Sequence, residues 1–222
     1  MKKRLYGLII LAFLPLICQL IADHFQSYGI GLILRILSHI IIPVIAVAYI
    51  TKISFKESFF LPIHLKNKKQ TFQLALIGSL GATAIILTAF FSLKHLIDLT
   101  AISTNLATIN ITPITYPLIA LAIVLINPFI EEYFWRGFVF RVFDKYTKFG
   151  YWTGILFALH HVIIIAGWFN WWQFILVTVF LALVGILFNW TYKKTNSIYA
   201  TWITHLIADL VIVTIGYFYI FQ

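Results

Sequence analysis

Seven polar residues in the second half of the chain have the types and spacing for acid–base chemistry: Glu131, Glu132, Arg136, His160, His161, His205 and Asp209. Each interrupts a long apolar run. Helical residues four apart share a face, whereas adjacent residues diverge by about 100°. The pairs Glu132/Arg136, Phe157/His161 and His205/Asp209 therefore each line one face, and Glu131 and His160 point elsewhere on their own helices. A guanidinium in hydrocarbon requires a carboxylate partner, and Glu132 is the nearest to Arg136. That leaves Glu131 free for chemistry. A glutamate beside a histidine is the pair that activates water, while His205 and Asp209 could bind an oxyanion or orient an imidazole. Pro128, three residues before Glu131, removes a helical hydrogen bond where substrate must enter.

The elements that must position these groups are membrane helices. The 222-residue chain is 62% hydrophobic and 10% charged, against about 25% charged in a soluble domain. Apolar windows of the roughly 20 residues needed to cross the hydrocarbon core fall near 4–22, 29–50, 71–93, 114–136, 150–168, 171–192 and 197–220. This predicts an all-α, polytopic transmembrane helix bundle of about seven spans. The first window follows Lys2, Lys3 and Arg4 and lacks a small-residue cleavage site, so it reads as an uncleaved span. If spans alternate, these three cations, Lys52 to Lys69, Arg141, Lys145, Lys148, Lys193 and Lys194 share one side. The positive-inside rule makes it cytoplasmic, with the N-terminus in. The formal charge of +9 is thus a topology signal, and no nucleic-acid partner is expected, since no reader module accompanies it.

Depth tests whether the polar groups can meet. Glu131 lies ten residues from Arg141, His161 thirteen from Lys148, and His205 eleven from Lys194. At about 1.5 Å per residue each sits some 15–20 Å from the cytoplasmic markers. Three spans place their polar groups at one level. Trp168, Trp171 and Trp172 read as an outer aromatic belt. Arg35, Ser38 and His39 lie outside this set, and Arg35 is expected to snorkel to the outer interface. The stretch 51–70, where Phe55, Phe59 and Phe60 alternate with Lys52 and Lys56, fits either a segment lying on the inner leaflet or a basic loop. Cys18 has no partner for an intramolecular disulfide. One membrane domain spans 1–222, with N-terminal spans in 1–95 and a catalytic core in 114–220.

Three motifs in order, Glu131-Glu132-Tyr133-Phe134-Trp135-Arg136-Gly137, Phe157 to His161, and His205 to Asp209, resemble those of the CAAX-protease and bacteriocin-processing (CPBP, or Abi) family. The resemblance implies an intramembrane endopeptidase. Glu131 and His161 would activate water, His205 and Asp209 would stabilise the tetrahedral intermediate, and Glu132, Arg136, Phe157 and His160 would support them. Asp209 departs from the Asn typical of the prenyl-protein branch; an ionised Asp repels an oxyanion, so it must be protonated, paired to His205, or orienting.

No cofactor is favoured. Glu131, His161 and His205 form a sufficient zinc set, yet no His-Glu-x-x-His helix brings ligands together. The expected partners are a peptide or protein-tail substrate and membrane lipids; the residues specify no oligomeric state. The Ile-, Lys- and Phe-rich composition fits an AT-rich bacterial genome, so a bacterial plasma membrane is the expected location and a prenylated substrate is not expected. Two other readings stand beside the hydrolase: a non-hydrolytic immunity or interaction protein on the same fold, and a transporter, against which the missing inverted repeat speaks.

Overall fold

A computed structural model describes residues 2–25, 28–108, 110–147, 150–165 and 170–221. Among these residues every regular element is helical. Lipid offers no hydrogen bonds to a backbone, so each apolar window must satisfy its N–H and C=O groups internally, which a helix does. The chain runs through α1 (Lys2–Phe25), α2 (Tyr28–Ile36), α3 (Ile42–Thr51), α4 (Phe55–Phe60), α5 (Lys68–Leu93), α6 (Leu99–Thr108), α7 (Tyr116–Leu125), α8 (Asn127–Glu132), α9 (Arg141–Thr147), α10 (Thr153–Ile165), α11 (Trp171–Thr195) and α12 (Tyr199–Ile220).

Five helical stretches are long and apolar enough to cross a membrane: Ile33–Ile50, Lys68–Leu96, Tyr116–Lys145, Trp171–Thr195 and Tyr199–Ile220. The estimate of seven is therefore approximate. The two remaining windows are helical over their described residues, with an apolar stretch Ile9–Cys18 in α1 and Thr153–Ile165 in α10. Lys148 and Trp168, a topology marker and a belt residue above, lie outside the described residues; Trp171 is exposed at the start of α11.

Burial is inverted relative to a soluble protein. Phe72, Leu76, Ile77 and Leu80 on α5, and Ile175, Leu176, Val179 and Leu183 on α11, face outward, while Glu131, Glu132 and Arg136 are enclosed. Small residues let the helices approach closely where the enclosed groups must be held. A Cβ on Gly154 of α10 would lie 2.5 Å from the backbone nitrogen of Ile186 on α11, and one on Gly185 would lie 2.6 Å from the Gly154 carbonyl oxygen. Helices α5 and α12 meet the same way, at Gly78 against Thr204.

Two spans depart from α-helical pitch, and both border the polar interior. Between α2 and α3, residues Leu37–Ile41 form a π-helix in which the Ile42 N–H bonds Leu37 O. Pro43 supplies the cause, since it lacks the N–H that would close an α-turn on the His39 carbonyl. Between α8 and α9, Tyr133–Phe140 form a second π-helix. Upstream of it the chain breaks at Ile126, and α8 restarts with Pro128 in its first turn, where a missing N–H is tolerated.

The stretch after α3 is folded against the bundle. Ser54 caps α4 by accepting from the Glu57 N–H at 3.1 Å. Ser58 donates to Val44 O at 3.0 Å, Tyr133 donates to Phe59 O at 2.9 Å, and the Ile198 N–H bonds Pro62 O at 3.1 Å. Pro62 packs so closely on Gly137 that a Cβ there would sit 2.6 Å away. Phe55 and Phe60 remain exposed, an apolar outer face of the kind the leaflet reading requires.

Candidate active site

Helix α8 carries the two glutamates at its end, and the π-helix that follows carries Arg136. The i, i+4 spacing closes one pair: Arg136 Nη1 donates to Glu132 Oε1 at 2.8 Å with both side chains wholly buried. Its Nη2 donates to Gly185 O at 3.2 Å. That carbonyl is within reach because α10 and α11 cross at glycines. The guanidinium packs on two rings, 4.2 Å from the Phe157 centroid and 4.9 Å from that of Phe188, cation–π contacts that partly replace lost hydration. Glu132 Oε1 also accepts from His205 Nδ1 at 3.0 Å, which ties α12 to α8.

Glu131, on the adjoining face, meets different partners. Its Oε1 accepts from Asn127 Nδ2 at 2.9 Å and from Arg35 Nη2 of α2. Its Oε2 has no hydrogen bond. His161 Nε2 comes within 3.0 Å of it, at hydrogen-bond length but without hydrogen-bond alignment. His205 Nε2 is 4.0 Å away. These three atoms lie within 4.8 Å of one another, so the level predicted from residue counting is the level at which α8, α10 and α12 meet.

Both histidines are oriented through Nδ1. His161 Nδ1 donates to Phe157 O at 2.8 Å, its ring stacks 4.2 Å from the Phe157 ring, and His205 Nδ1 donates to Glu132. Each imidazole thereby turns Nε2 toward Glu131 Oε2. An enclosed carboxylate oxygen with no hydrogen bond, faced by two ring nitrogens, is a seat for a small polar species. The three groups could hold a metal ion, since Nδ1 bonded to an acceptor is how metal-ligating histidines are oriented. Asp209 Oδ1 is 3.7 Å from His205 Nε2, at the edge of this cluster. His160 is buried against the rings of Trp135 and His39, with centroids at 5.9 and 5.7 Å.

Two residues enter the site that the sequence reading did not place there. Arg35 does not snorkel to an interface; it pairs with Glu131, because the enclosed carboxylate attracts it more strongly than a distant headgroup region. The rule applied to Arg136, that an intramembrane cation needs a carboxylate, points equally to Arg35. Asn127 stands four residues before Glu131, the same spacing that identified the Glu132–Arg136 pair.

The fold and site define a multi-pass membrane protein with a carboxylate–imidazole centre buried among its spans. Residues 113–211, the segment that carries Glu131, His161, His205 and Asp209, match the family described as Type II CAAX prenyl endopeptidase Rce1-like. No curated protein and no solved structure matches the chain.

Proposed function

We propose that the protein is an intramembrane endopeptidase in which Glu131 and His161 activate water against a peptide bond near the cytoplasmic half of the bilayer. The observation that carries this reading is the open Glu131 Oε2, with Nε2 of His161 at 3.0 Å and Nε2 of His205 at 4.0 Å. A water in that seat donates one proton toward Oε2 and the other toward His161 Nε2. As its oxygen bonds the carbonyl carbon, the first proton passes to Glu131. His205, with Glu132 on Nδ1 and Asp209 beside Nε2, donates from Nε2 to the developing oxyanion. Collapse of the adduct breaks the C–N bond as Glu131 returns the proton to the amine nitrogen, leaving a carboxylic acid and an amine. Asp209 serves here by orienting His205, a role its charge permits, whereas direct contact with the oxyanion would be repulsive.

A second reading rests on the same trio. Glu131, His161 and His205 would be the ligands of a divalent ion such as zinc, which would supply Lewis-acid polarisation of the carbonyl. The substrate class is a peptide or protein tail presented at the membrane of a bacterial cell, with or without a prenyl group.

The deciding experiment is cleavage of peptide libraries, some carrying a prenylated cysteine, by detergent-purified wild type, Glu131→Gln and His161→Ala, each with and without chelator. Cleavage abolished by both substitutions and indifferent to chelator is the expected result. Chelator sensitivity reversed by zinc moves the chemistry to the metal. Folded wild type that cleaves nothing removes the peptidase reading and leaves the immunity protein, whose protection would survive both substitutions.

A further inference from the structure

We propose that Arg35, outside the matched segment 113–211, is a positioning residue of the active site: it holds Oε1 of Glu131 so that Oε2 alone is presented for reaction. This rests on the hydrolytic reading above. The two oxygens of Glu131 have separate surroundings. Oε1 is bonded by Arg35 Nη2 and Asn127 Nδ2, whereas Oε2 faces the two imidazoles and has no hydrogen bond. A carboxylate fastened at one oxygen cannot rotate to exchange its oxygens, and the free one keeps its aim.

Among the described residues no other arginine or lysine forms an ion pair with Glu131. Arg136 is consumed by Glu132, the Gly185 carbonyl and the rings of Phe157 and Phe188. Arg35 is itself built into place. Its carbonyl accepts from His39 Nδ1 at 3.0 Å and from Ser38 Oγ at 3.3 Å, and both side chains are buried. The π-turn over Leu37–Ile41 packs His39 against Phe134 and His160, with centroids at 5.1 and 5.7 Å, so α2 is registered against both helices that carry the reacting pair. The Arg35 side chain is 28% exposed, against 2% for Glu131, and its Nε is buried.

The test uses the full chain and a peptide that wild type cleaves and Glu131→Gln does not. Arg35→Met, which keeps length and removes charge, is expected to lower kcat by about 30-fold or more, with KM within about twofold, because a base that wanders loses its near-attack geometry. Arg35→Lys is expected to recover a large part of kcat. Arg35→Ala, which opens a guanidinium-sized space, is expected to regain activity when guanidinium ion is added, whereas Arg35→Met, with that space filled, is not. A KM increase at unchanged kcat would overturn the proposal by assigning the guanidinium to substrate binding. A kcat loss that neither Lys nor added guanidinium repairs would overturn it by assigning Arg35 to the scaffold.

A double-substitution cycle on the thermal midpoint, Arg35→Met with Glu131→Gln, separates this proposal from the hydrolytic reading. Coupled midpoints with an inactive wild type refute hydrolysis and leave the contact standing. Independent midpoints refute the contact whatever the activity.

Discussion

Glu131 and Glu132 are consecutive, both enclosed, and each is matched to one arginine, yet they sit in opposite kinds of surroundings. Around Glu132 the polar groups are drawn inward: Arg136 and His205 bond one oxygen, and the guanidinium is closed off by rings and a backbone carbonyl. Around Glu131 the arginine comes from a separate span and is partly exposed, and one oxygen remains open to two imidazoles. Each carboxylate has a buried Oε2 without a hydrogen bond; what sets Glu131 apart is that its Oε2 has Nε2 of His161 at 3.0 Å and Nε2 of His205 at 4.0 Å.

The comparison is sharpened most by removing each charge in turn. Glu131→Gln is expected to lower turnover by about 10²- to 10⁴-fold, the span of a lost general base, with a smaller drop in thermal midpoint in detergent than Arg136→Met gives, since the partly exposed Arg35 loses its carboxylate. Arg136→Met is expected to do the reverse. It leaves Glu132 enclosed without its cation, which costs about 3–5 kcal/mol of stability, and activity should fall only with the folded fraction. If Glu131→Gln instead melted as early as Arg136→Met, or Arg136→Met were fully folded and inactive, the division between a reacting and a structural carboxylate would be wrong.

A smaller effect is expected from the helix crossing that supplies Arg136 with its carbonyl. A methyl on Gly185 would meet Gly154 backbone atoms at 2.6 and 2.8 Å, which cannot yield as a side-chain tip can. Gly185→Ala should therefore force α10 and α11 apart, at about 1–3 kcal/mol for overpacking, and lower the midpoint. Gly81→Ala is the matched control. Nothing lies within 4 Å of its added Cβ, so the midpoint should hold or rise, because alanine favours the helix.

Much of this site was legible from residue types and counting. Charges in apolar runs stand out because hydrocarbon tolerates few of them, and distances counted from the basic loops placed Glu131, His161 and His205 at one depth. The i, i+4 rule paired Glu132 with Arg136. Arg35 escaped because α2 is joined to the site only through tertiary packing. Once Arg136 is assigned to Glu132, however, Arg35 and Glu131 are the cation and carboxylate left over, and that pairing was open to inspection. The two π-helices were not legible, since a hydropathy window does not register whether an N–H bonds four or five residues back. The count of about seven spans is approximate for a related reason: hydropathy windows do not mark helix ends, and five stretches among the described residues are long and apolar enough to cross.

The smallest expected effect concerns Asp209, where the chain departs from the Asn of the prenyl-protein branch. Its Oδ1 is 3.7 Å from His205 Nε2, beyond hydrogen-bond length but near enough to steer the imidazole. Asn offers a carbonyl oxygen in the same place, so Asp209→Asn should change kcat by less than about tenfold, within the range of a substituted supporting contact. Asp209→Ala offers no acceptor and should lose more. Were Asp209→Asn to raise kcat well above wild type, the native carboxylate would be opposing the oxyanion, and position 209 would belong among the groups that face the substrate. Were both substitutions to be silent, Glu132 alone would hold His205, and the structural carboxylate would reach the chemistry through that single 3.0 Å bond.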